Sequence, residues 1–238
     1  MKIQLWLLGM LLLSVSCKNE DPLIYSKGDI KIQIEVGENW IHKFPFFLGI
    51  KKDNAPQFAV WLEDVDGKYL STIYVTEKIA TQSWVSSDGN RRKEALPHWC
   101  YQRGMVYEDG LYLPTKNEPI TDALTGATPK SNKEIQLKLA DFTTPVVIKA
   151  EFNHSIDFNE FFPKSAKVGD ENYSGGEMGS GQPAVIYADT IYPFQINAEL
   201  KMIGRSSSDG TNGRIYNDLE KLTSAKSIVK SVNIQLIE

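Results

Sequence analysis

The chain has 238 residues with 26 Lys and Arg against 30 Asp and Glu, a formal net charge of −4, and 42% of its residues are hydrophobic. An acidic chain lacks the basic balance that binds a phosphate backbone, so the composition does not suggest a nucleic-acid-binding protein. The length and apolar content allow a sizeable core, at the upper end for a single all-β domain.

The first 16 residues have the layout of a secretory signal peptide, with Lys2, an apolar run over residues 3–13 and then small residues. That run is too short to cross a bilayer as a helix, which takes about 20 residues. Cys17 stands at the expected cleavage point, which resembles a bacterial lipoprotein box. Cys17 would then be the lipidated first residue of the mature chain. The alternative is an ordinary signal peptide with an incidental cysteine.

Residues 17–28 are predicted to be a lipidated tether. Its charged start, residues 18–22, resembles the surface-export signals of some bacterial lipoproteins. This implies an outer-membrane lipoprotein on the periplasmic or cell-surface face. Removing residues 1–16 would leave 222 of the 238 residues and, since Lys2 is the only charge lost, a net charge of −5. With Cys17 lipidated, Cys100 is the only remaining thiol, so a packed core must supply the stability.

Strand patterns dominate the rest of the chain. Residues 29–37 alternate Ile or Val with polar residues, which predicts a half-buried strand. Residues 57–63 and 68–77 flank a turn-forming Asp-Val-Asp-Gly segment and are predicted to form a hairpin. Further strands are predicted over residues 134–139, 145–152, 183–188, 195–203 and 227–237.

Helical patterns are sparse. A short helix is predicted over residues 91–95, stopped by Pro97, and another over residues 219–225, capped by Asn217 or Asp218. Many short strands between turn-forming residues predict an all-β fold, an antiparallel β-sandwich with one or two short helices and room for an immunoglobulin-like topology. We expect one domain over residues 29–238.

Three segments are predicted to be mobile loops, at residues 114–133, 173–182 and 206–213, because they are rich in Gly, Ser, Thr, Asn and Pro. Loops carry the functional residues of many sandwich domains. The first of these segments is long enough for a modifying enzyme to reach without unfolding the domain.

Metal and catalytic motifs are mostly missing. His42, His98 and His154 lie far apart in sequence, so a transition-metal site would need spatial convergence, and we assign no metal ligands and no catalytic residues. The carboxylates at residues 63–66 crowd one turn, but Val75 stands where a calcium loop needs its closing acidic residue. A solvated hairpin turn is the favoured interpretation.

Residues 122–128, Asp-Ala-Leu-Thr-Gly-Ala-Thr, resemble the acceptor motif to which extracytosolic flavin transferases attach FMN through a phosphoester. Thr128 supplies the hydroxyl and would be the attachment residue. The recognition elements would be Asp122, Thr125, Gly126 and Ala127, where the two small residues leave room for the transferase and Asp122 could orient a metal-bound flavin donor. The alternative is a polar turn, since Thr, Gly and Pro are ordinary turn residues.

A wider resemblance covers roughly residues 30–205. It rests on a Trp-Leu-Glu-Asp strand ending at Asp64, a Leu-Pro-His-Trp turn ending at Trp99, and a Glu-Phe-Asn-His-Ser segment ending at Ser155. The chain is similar to the domain of unknown function 2271 family, predicted periplasmic proteins without an established activity. Kin of that family resemble components encoded with flavin transferases and transmembrane electron-transfer proteins.

The resemblances imply a lipid-anchored extracytosolic electron carrier rather than an independent catalyst, with FMN esterified to Thr128 and with a flavin transferase, a redox partner and the membrane as partners. A cell-surface or periplasmic binding module without a cofactor, for a glycan, metal complex or protein, is the alternative, and a structural subunit is a third. Six aromatic residues could stack on a flavin or a sugar, although most aromatics in a sandwich are core. They are Trp61, Tyr69, Tyr74, Trp84, Trp99 and Tyr112.

Overall fold

The computed structural model describes residues 23–45, 51–84, 91–121, 123–138, 143–195 and 197–238. The predicted signal peptide, Cys17 and residues 18–22 of the predicted tether lie outside these residues. The first strands are β1 (Asp29–Val36), β2 (His42–Pro45), β3 (Lys51–Asn54), β4 (Gln57–Glu63), β5 (Tyr69–Thr76) and β6 (Leu124–Gly126). The others are β7 (Lys133–Lys138), β8 (Val146–Asn153), β9 (Val185–Ile191), β10 (Asn197–Glu199), β11 (Lys201–Arg205) and β12 (Val229–Leu236). The helices described are α1 (Glu77–Thr81) and α2 (Pro97–Arg103).

The strands form two packed sheets, which confirms the prediction of an all-β sandwich with short helices. One sheet has the order β10-β12-β1-β7 and the other the order β11-β9-β8-β4-β5-β6, while β2 and β3 form a separate hairpin. Neighbouring strands are antiparallel except for the parallel pair β5 and β6. The sheet edges β6 and β7 lie on the same side of the sandwich, since one groove is lined by both strands.

The main core lies between the sheets and follows from the alternation along the strands. Ile30, Ile32 and Ile34 of β1 are at most 1% exposed. They belong to the same core cluster as alternate residues of β4 and β8. Those residues are Phe58, Val60, Leu62, Ile148, Ala150 and Phe152.

A second core covers the opposite face of the six-stranded sheet. Ala59 and Trp61, which alternate with the main-core residues of β4, pack there against α1, α2 and the segments around them. The residues of this outer layer are Ala59, Trp61, Val75, Ile79, Ala80, Trp84, Ala95, Leu96, Trp99, Cys100, Leu113, Ile120 and Ala184. Strand β4 is therefore buried on both faces.

Both predicted helices differ from the structure. Residues 91–95 are not helical. Pro97, which was expected to stop a helix, instead begins α2 at the first helical position, where its missing N–H costs no hydrogen bond. Residues 219–225 contain two short 3-10 turns, Leu219–Lys221 and Ser224–Ser227, and not an α-helix. The Asp218 carboxylate, the expected cap, accepts hydrogen bonds from Arg205 at 2.6 and 2.8 Å.

The predicted strand over residues 195–203 is two strands in different sheets. β10 pairs with β12, whereas β11 pairs with β9, and the chain changes sheets at the buried Leu200. Strands β2, β3 and β6 were not predicted. Within the described residues, no helix is both long and apolar enough to span a bilayer.

The three predicted loops each contain buried or paired residues. The first contains β6. In the second, Ser180 is fully buried and its hydroxyl donates to Asn153 Oδ1 at 2.7 Å. In the third, residues 206–208 are buried beside the outer layer, since Ser206 N donates to the Ala184 carbonyl at 2.9 Å. Small polar residues here pack closely against the sheet.

Candidate functional site

The segment that resembles a flavin-acceptor motif lies at the edge of the six-stranded sheet. Leu124, Thr125 and Gly126 form β6 and pair in parallel with Tyr74, Val75 and Thr76 of β5. The motif is thus partly a strand, which the prediction of a loop over residues 114–133 missed. The backbone of β6 is tied to β5, while Leu124 is 58% exposed and Thr125 and Ala127 are exposed. Asp122 lies outside the described residues.

Thr128 follows β6 by two residues and is half-buried. The Gln57 side-chain amide, Nε2, donates a hydrogen bond to Thr128 Oγ1 at 2.8 Å. Gln57 is 4% exposed, and its other amide atom, Oε1, is buried without a hydrogen-bond partner. The next residue is fixed as well, because Trp40 Nε1 donates to the Pro129 carbonyl at 3.0 Å. The Thr128 hydroxyl therefore has a defined position beside a buried amide.

Gly126 lies close to the Tyr74 side chain. A Cβ atom at this position would lie 2.8 Å from the hydroxyl oxygen of Tyr74, closer than a carbon can approach without a shift. Tyr74 is held in the core by stacking on Phe58, with ring centroids 5.1 Å apart. Packing on Tyr74 thus explains the glycine independently of any transferase. The Lys133 ammonium lies 5.6 Å from the centroid of the Tyr74 ring.

A groove of about 450 Å³ runs between β6 and β7. Its wall includes three residues of the motif and Leu23 of the predicted tether. The lining residues are Leu23, Tyr74, Leu124, Thr125, Gly126, Lys133, Glu134, Ile135, Gln136 and Lys138. A second groove of about 430 Å³ shares Leu124, Gln136 and Lys138 with it. The volumes lie within the usual range of small-molecule sites, about 300–1,000 Å³.

Most of the predicted aromatic faces are structural. Trp61 and Trp99 are fully buried, and Trp84 and Tyr74 are at most 8% exposed. Of the six aromatics, Tyr74 lines the groove beside the motif. Four of the six are thus core residues, as expected for most aromatics in a sandwich, while Tyr69 and Tyr112 are half-buried.

The acidic turn after β4 is a hairpin turn, as the sequence indicated. Asp64 Oδ1 accepts hydrogen bonds from the backbone N–H groups of Asp66 and Lys68 at 3.0 and 2.8 Å. Glu63 points the other way, because it is 1% exposed and its carboxylate lies 2.9 Å from the Lys149 ammonium. The three carboxylates do not converge.

The histidines separate into two places. His98 is buried in the outer layer, where its Nδ1 lies 2.7 Å from the Gly213 carbonyl, and burial lowers its pKa to about 4. His42 and His154 lie together at the end of the sandwich that also carries Thr128, with ring centroids 5.7 Å apart. Across the described residues, no three His, Cys, Asp or Glu side chains are already arranged to hold a metal ion.

The end of the sandwich that carries Thr128 is assembled from separate strands, and sequence reasoning missed its supporting residues. Gln57 begins β4 and is paired with Asn153, the last residue of β8, which His154 follows. The His154 Nε2 atom lies 2.8 Å from the carbonyl of Asn39, the neighbour of Trp40. No local pattern marks Gln57 as a partner of Thr128, because the strand register alone brings them together.

Comparison with known proteins gives no match of this chain to a family model, to a curated protein or to a solved structure.

Proposed function

We propose that this protein is a lipid-anchored extracytosolic electron carrier that holds FMN covalently on Thr128. The observation that best supports the proposal is the position of the motif: the Thr128 hydroxyl lies just beyond an edge strand whose residues line a groove of about 450 Å³. The anchor would be Cys17, at the outer membrane on the periplasmic or cell-surface face. The resemblance to predicted periplasmic proteins supports the compartment and the pathway.

Attachment requires a flavin transferase and FAD. The Thr128 oxygen would form a bond to the phosphorus of the FMN half, the bond to the AMP phosphate would break, and AMP would leave with the electron pair. The hydroxyl proton would pass to a base of the transferase. Because Thr128 is half-buried, the transferase must first draw residues 127–132 outward, of which Ala127 and Lys130 to Asn132 are exposed.

The residues around the motif fit a phosphoester. Gln57 Nε2 now donates to the Thr128 hydroxyl and could donate to a phosphoryl oxygen after esterification. Lys133 and Tyr74 also line the groove beside β6, where the ammonium lies 5.6 Å from the ring centroid. A buried amide and a cation are both favourable neighbours for a phosphate.

The groove offers a place for the flavin ring. Leu23, Leu124 and Ile135 supply apolar surface, and Tyr74 adds an aromatic wall. Bound there, FMN would supply one- or two-electron transfer, while the protein would set its orientation and exposure. We assign no side chain a role in substrate chemistry.

Coexpression with a flavin transferase in a bacterial periplasm tests the proposal. The purified full chain should be yellow, and its intact mass should rise by one FMN less one water. Thr128→Val should remove the adduct, whereas Thr128→Ser, which keeps a hydroxyl, should retain some of it. Thr121→Val is the matched control, because this exposed threonine lies just before the motif and should leave the adduct intact.

A colourless chain of unmodified mass, obtained beside a known acceptor that the same transferase does modify, would overturn the proposal. Circular dichroism of each variant separates loss of attachment from loss of folding. In that outcome the groove would favour the alternative, a binding module whose ligand carries no flavin.

A further inference from the structure

A second candidate site lies beside the end of β11, at the edge of the six-stranded sheet opposite β6. This β11 groove has a volume of about 500 Å³, which suits a small-molecule ligand. Its described lining residues are all different from those of the groove between β6 and β7, so it does not depend on the proposed flavin attachment. The lining residues include Phe161, Asp170, Glu171, Asn172, Arg205 and Lys221.

The β11 groove contains an exposed aromatic side chain on a fixed backbone. Phe161 is 42% exposed, whereas its neighbour Phe162 is buried in the main core. The Phe161 N–H donates to Asn159 Oδ1 at 3.0 Å, and the Phe161 carbonyl accepts a hydrogen bond from Asn172 Nδ2 at 2.9 Å. The chain therefore holds a large apolar ring at the surface of the groove, where water is its only cover among the described residues.

A buried arginine supplies hydrogen-bond donors to the β11 groove. Arg205 is 6% exposed, and its guanidinium carbon lies 5.4 and 4.6 Å from the ring centroids of Phe162 and Tyr216. Three of its N–H groups are used, two by Asp218 and one by the Ser206 carbonyl. A guanidinium has five N–H groups, so two remain available to a ligand within the described part of the chain.

The cations of the β11 groove are already paired with carboxylates. Arg205 lies 2.6 Å from Asp218, and the Lys221 ammonium lies 2.9 Å from Asp218 and 3.9 Å from Glu171. These pairs cancel most of the positive charge that an anionic ligand would need. The groove is therefore a poor site for a phosphate or a carboxylate.

Hydrogen-bond acceptors complete the β11 groove. Asp170 and Glu171 are exposed, and the half-buried Asn172 donates through its nitrogen to Phe161, which leaves its side-chain oxygen as an acceptor. One Asp170 oxygen also accepts from the backbone N–H of Lys167 at 2.7 Å. The groove thus combines donors, acceptors and an aromatic ring. A sugar matches all three, because its hydroxyl groups donate and accept and its C–H faces stack on aromatic rings.

We propose that the β11 groove binds a neutral oligosaccharide, with a sugar ring on Phe161 and hydroxyl groups hydrogen-bonded to Arg205 and Glu171. The groove and Thr128 belong to opposite edges of the six-stranded sheet, since Thr128 follows β6. A bound sugar and an attached flavin would therefore not compete for one place.

Titration of the full chain with neutral oligosaccharides tests the site. The probes are oligomers of glucose, mannose, galactose, xylose and N-acetylglucosamine, and calorimetry and saturation-transfer NMR measure their binding. At least one should bind with a dissociation constant of about 1 mM or lower. Its affinity should change less than about twofold between ~0.05 and ~0.5 M NaCl, because screening by salt acts on charged ligands.

Variants of the exposed ring locate the binding. Phe161→Ala should weaken binding of the sugar by about tenfold or more, whereas Phe161→Tyr, which keeps a ring, should retain most of the affinity. Phe194→Ala is the matched control, because Phe194 is 90% exposed and lies outside the lining of the groove. Circular dichroism of each variant separates loss of binding from loss of folding.

Unchanged sugar affinity in a folded Phe161→Ala variant would overturn the site, as would failure of every neutral oligosaccharide to bind. Spermine is the cationic probe. If spermine binds and salt abolishes this binding while no neutral sugar binds, the exposed carboxylates form a cation site and the proposal is wrong. Flavin attachment is measured separately by mass, so failure of either proposal leaves the other distinguishable.

Discussion

Glu151 lies fully buried on β8, below the first turn of α2. Its carboxylate accepts hydrogen bonds from the backbone N–H groups of His98 and Trp99 at 3.3 and 2.8 Å. Burial outweighs these donors and raises its pKa from an ordinary 4.5 to about 8. A single carboxyl group thus links the six-stranded sheet to the layer that covers it.

The stability of the fold should therefore fall as the pH rises through this range. The folded chain keeps the Glu151 proton to about pH 8, whereas the unfolded chain loses it near pH 4.5. The stabilisation of the folded state by this proton is fully present below pH 4.5 and is lost as the pH rises towards 8. Buried His98, with a pKa of about 4 instead of 6.5, acts in the opposite direction but only below pH 6.5.

Urea unfolding at pH 6.5 and pH 8 isolates the glutamate. We expect the free energy of unfolding to decrease by up to about 2 kcal/mol over this interval, since one pKa unit corresponds to about 1.4 kcal/mol. Glu151→Gln should flatten the dependence, and Glu118→Gln, at an exposed position, should leave it unchanged. Equal slopes in the wild type and Glu151→Gln would show that Glu151 is ionised in both states.

At the scale of elements, the attachment of β6 to the sheet depends on Gly126. Replacement with alanine would place a methyl group 2.8 Å from the hydroxyl oxygen of Tyr74, whose ring is stacked on Phe58. We expect Gly126→Ala to lower the free energy of unfolding by about 1–3 kcal/mol, as overpacking does. Thr125→Ala, on the exposed side of the same strand, should cost less than about 1 kcal/mol.

Thermal or chemical unfolding measures both variants. Hydrogen exchange should in addition show faster exchange at β6 in Gly126→Ala. If Gly126→Ala were as stable as Thr125→Ala, the tyrosine would have to move at no cost, and the close approach would not be a constraint.

The elements that the sequence predicts correctly are those with a strong repeat. β1 alternates over its full length, and β7 and β12 alternate over part of theirs. β4, β5, β8 and β9 are rich in apolar, aromatic or β-branched residues. Strands β2, β3 and β6 have three or four residues, too few for a period to be detected. Their pairing comes from the rest of the fold, as does the change of sheet at Leu200.

The residues of the candidate site also differ in how far the sequence predicts them. The residues of the acceptor motif are contiguous, so they can be recognised in the sequence. Gln57 and Tyr74 reach the motif only through strand pairing, and no pattern predicts them. The convergence of His42 and His154 likewise depends on how a hairpin and the end of β8 meet, which no spacing in the sequence encodes.

At the scale of the molecule, the two cores share strands. β4 contributes Phe58, Val60 and Leu62 to the core between the sheets and Ala59 and Trp61 to the outer layer. Loss of either side would expose one face of a strand that is buried on both. We therefore expect the described sandwich and its outer layer to unfold together.

Tryptophan fluorescence can test this cooperativity. Trp40 belongs to the main core, while Trp61, Trp84 and Trp99 belong to the outer layer. In a Trp40→Phe variant of the mature chain, fluorescence should report chiefly on the outer layer. Its urea midpoint should coincide with that of far-UV circular dichroism. A fluorescence transition at clearly lower urea would instead mean that the outer layer is a separate unit.

The parallel pairing of β6 with β5 has a consequence for the order of folding. Antiparallel β4 and β5 can pair as soon as a short turn closes, but β6 returns to β5 only after the intervening residues 77–123, which include α1 and α2. A long closure of this kind is entropically slow, so β6 should be among the last strands to dock. A folding chain would therefore pass through a period in which the Thr128 hydroxyl is still free of Gln57, and the flavin attachment that we propose could take place before this hydroxyl is docked.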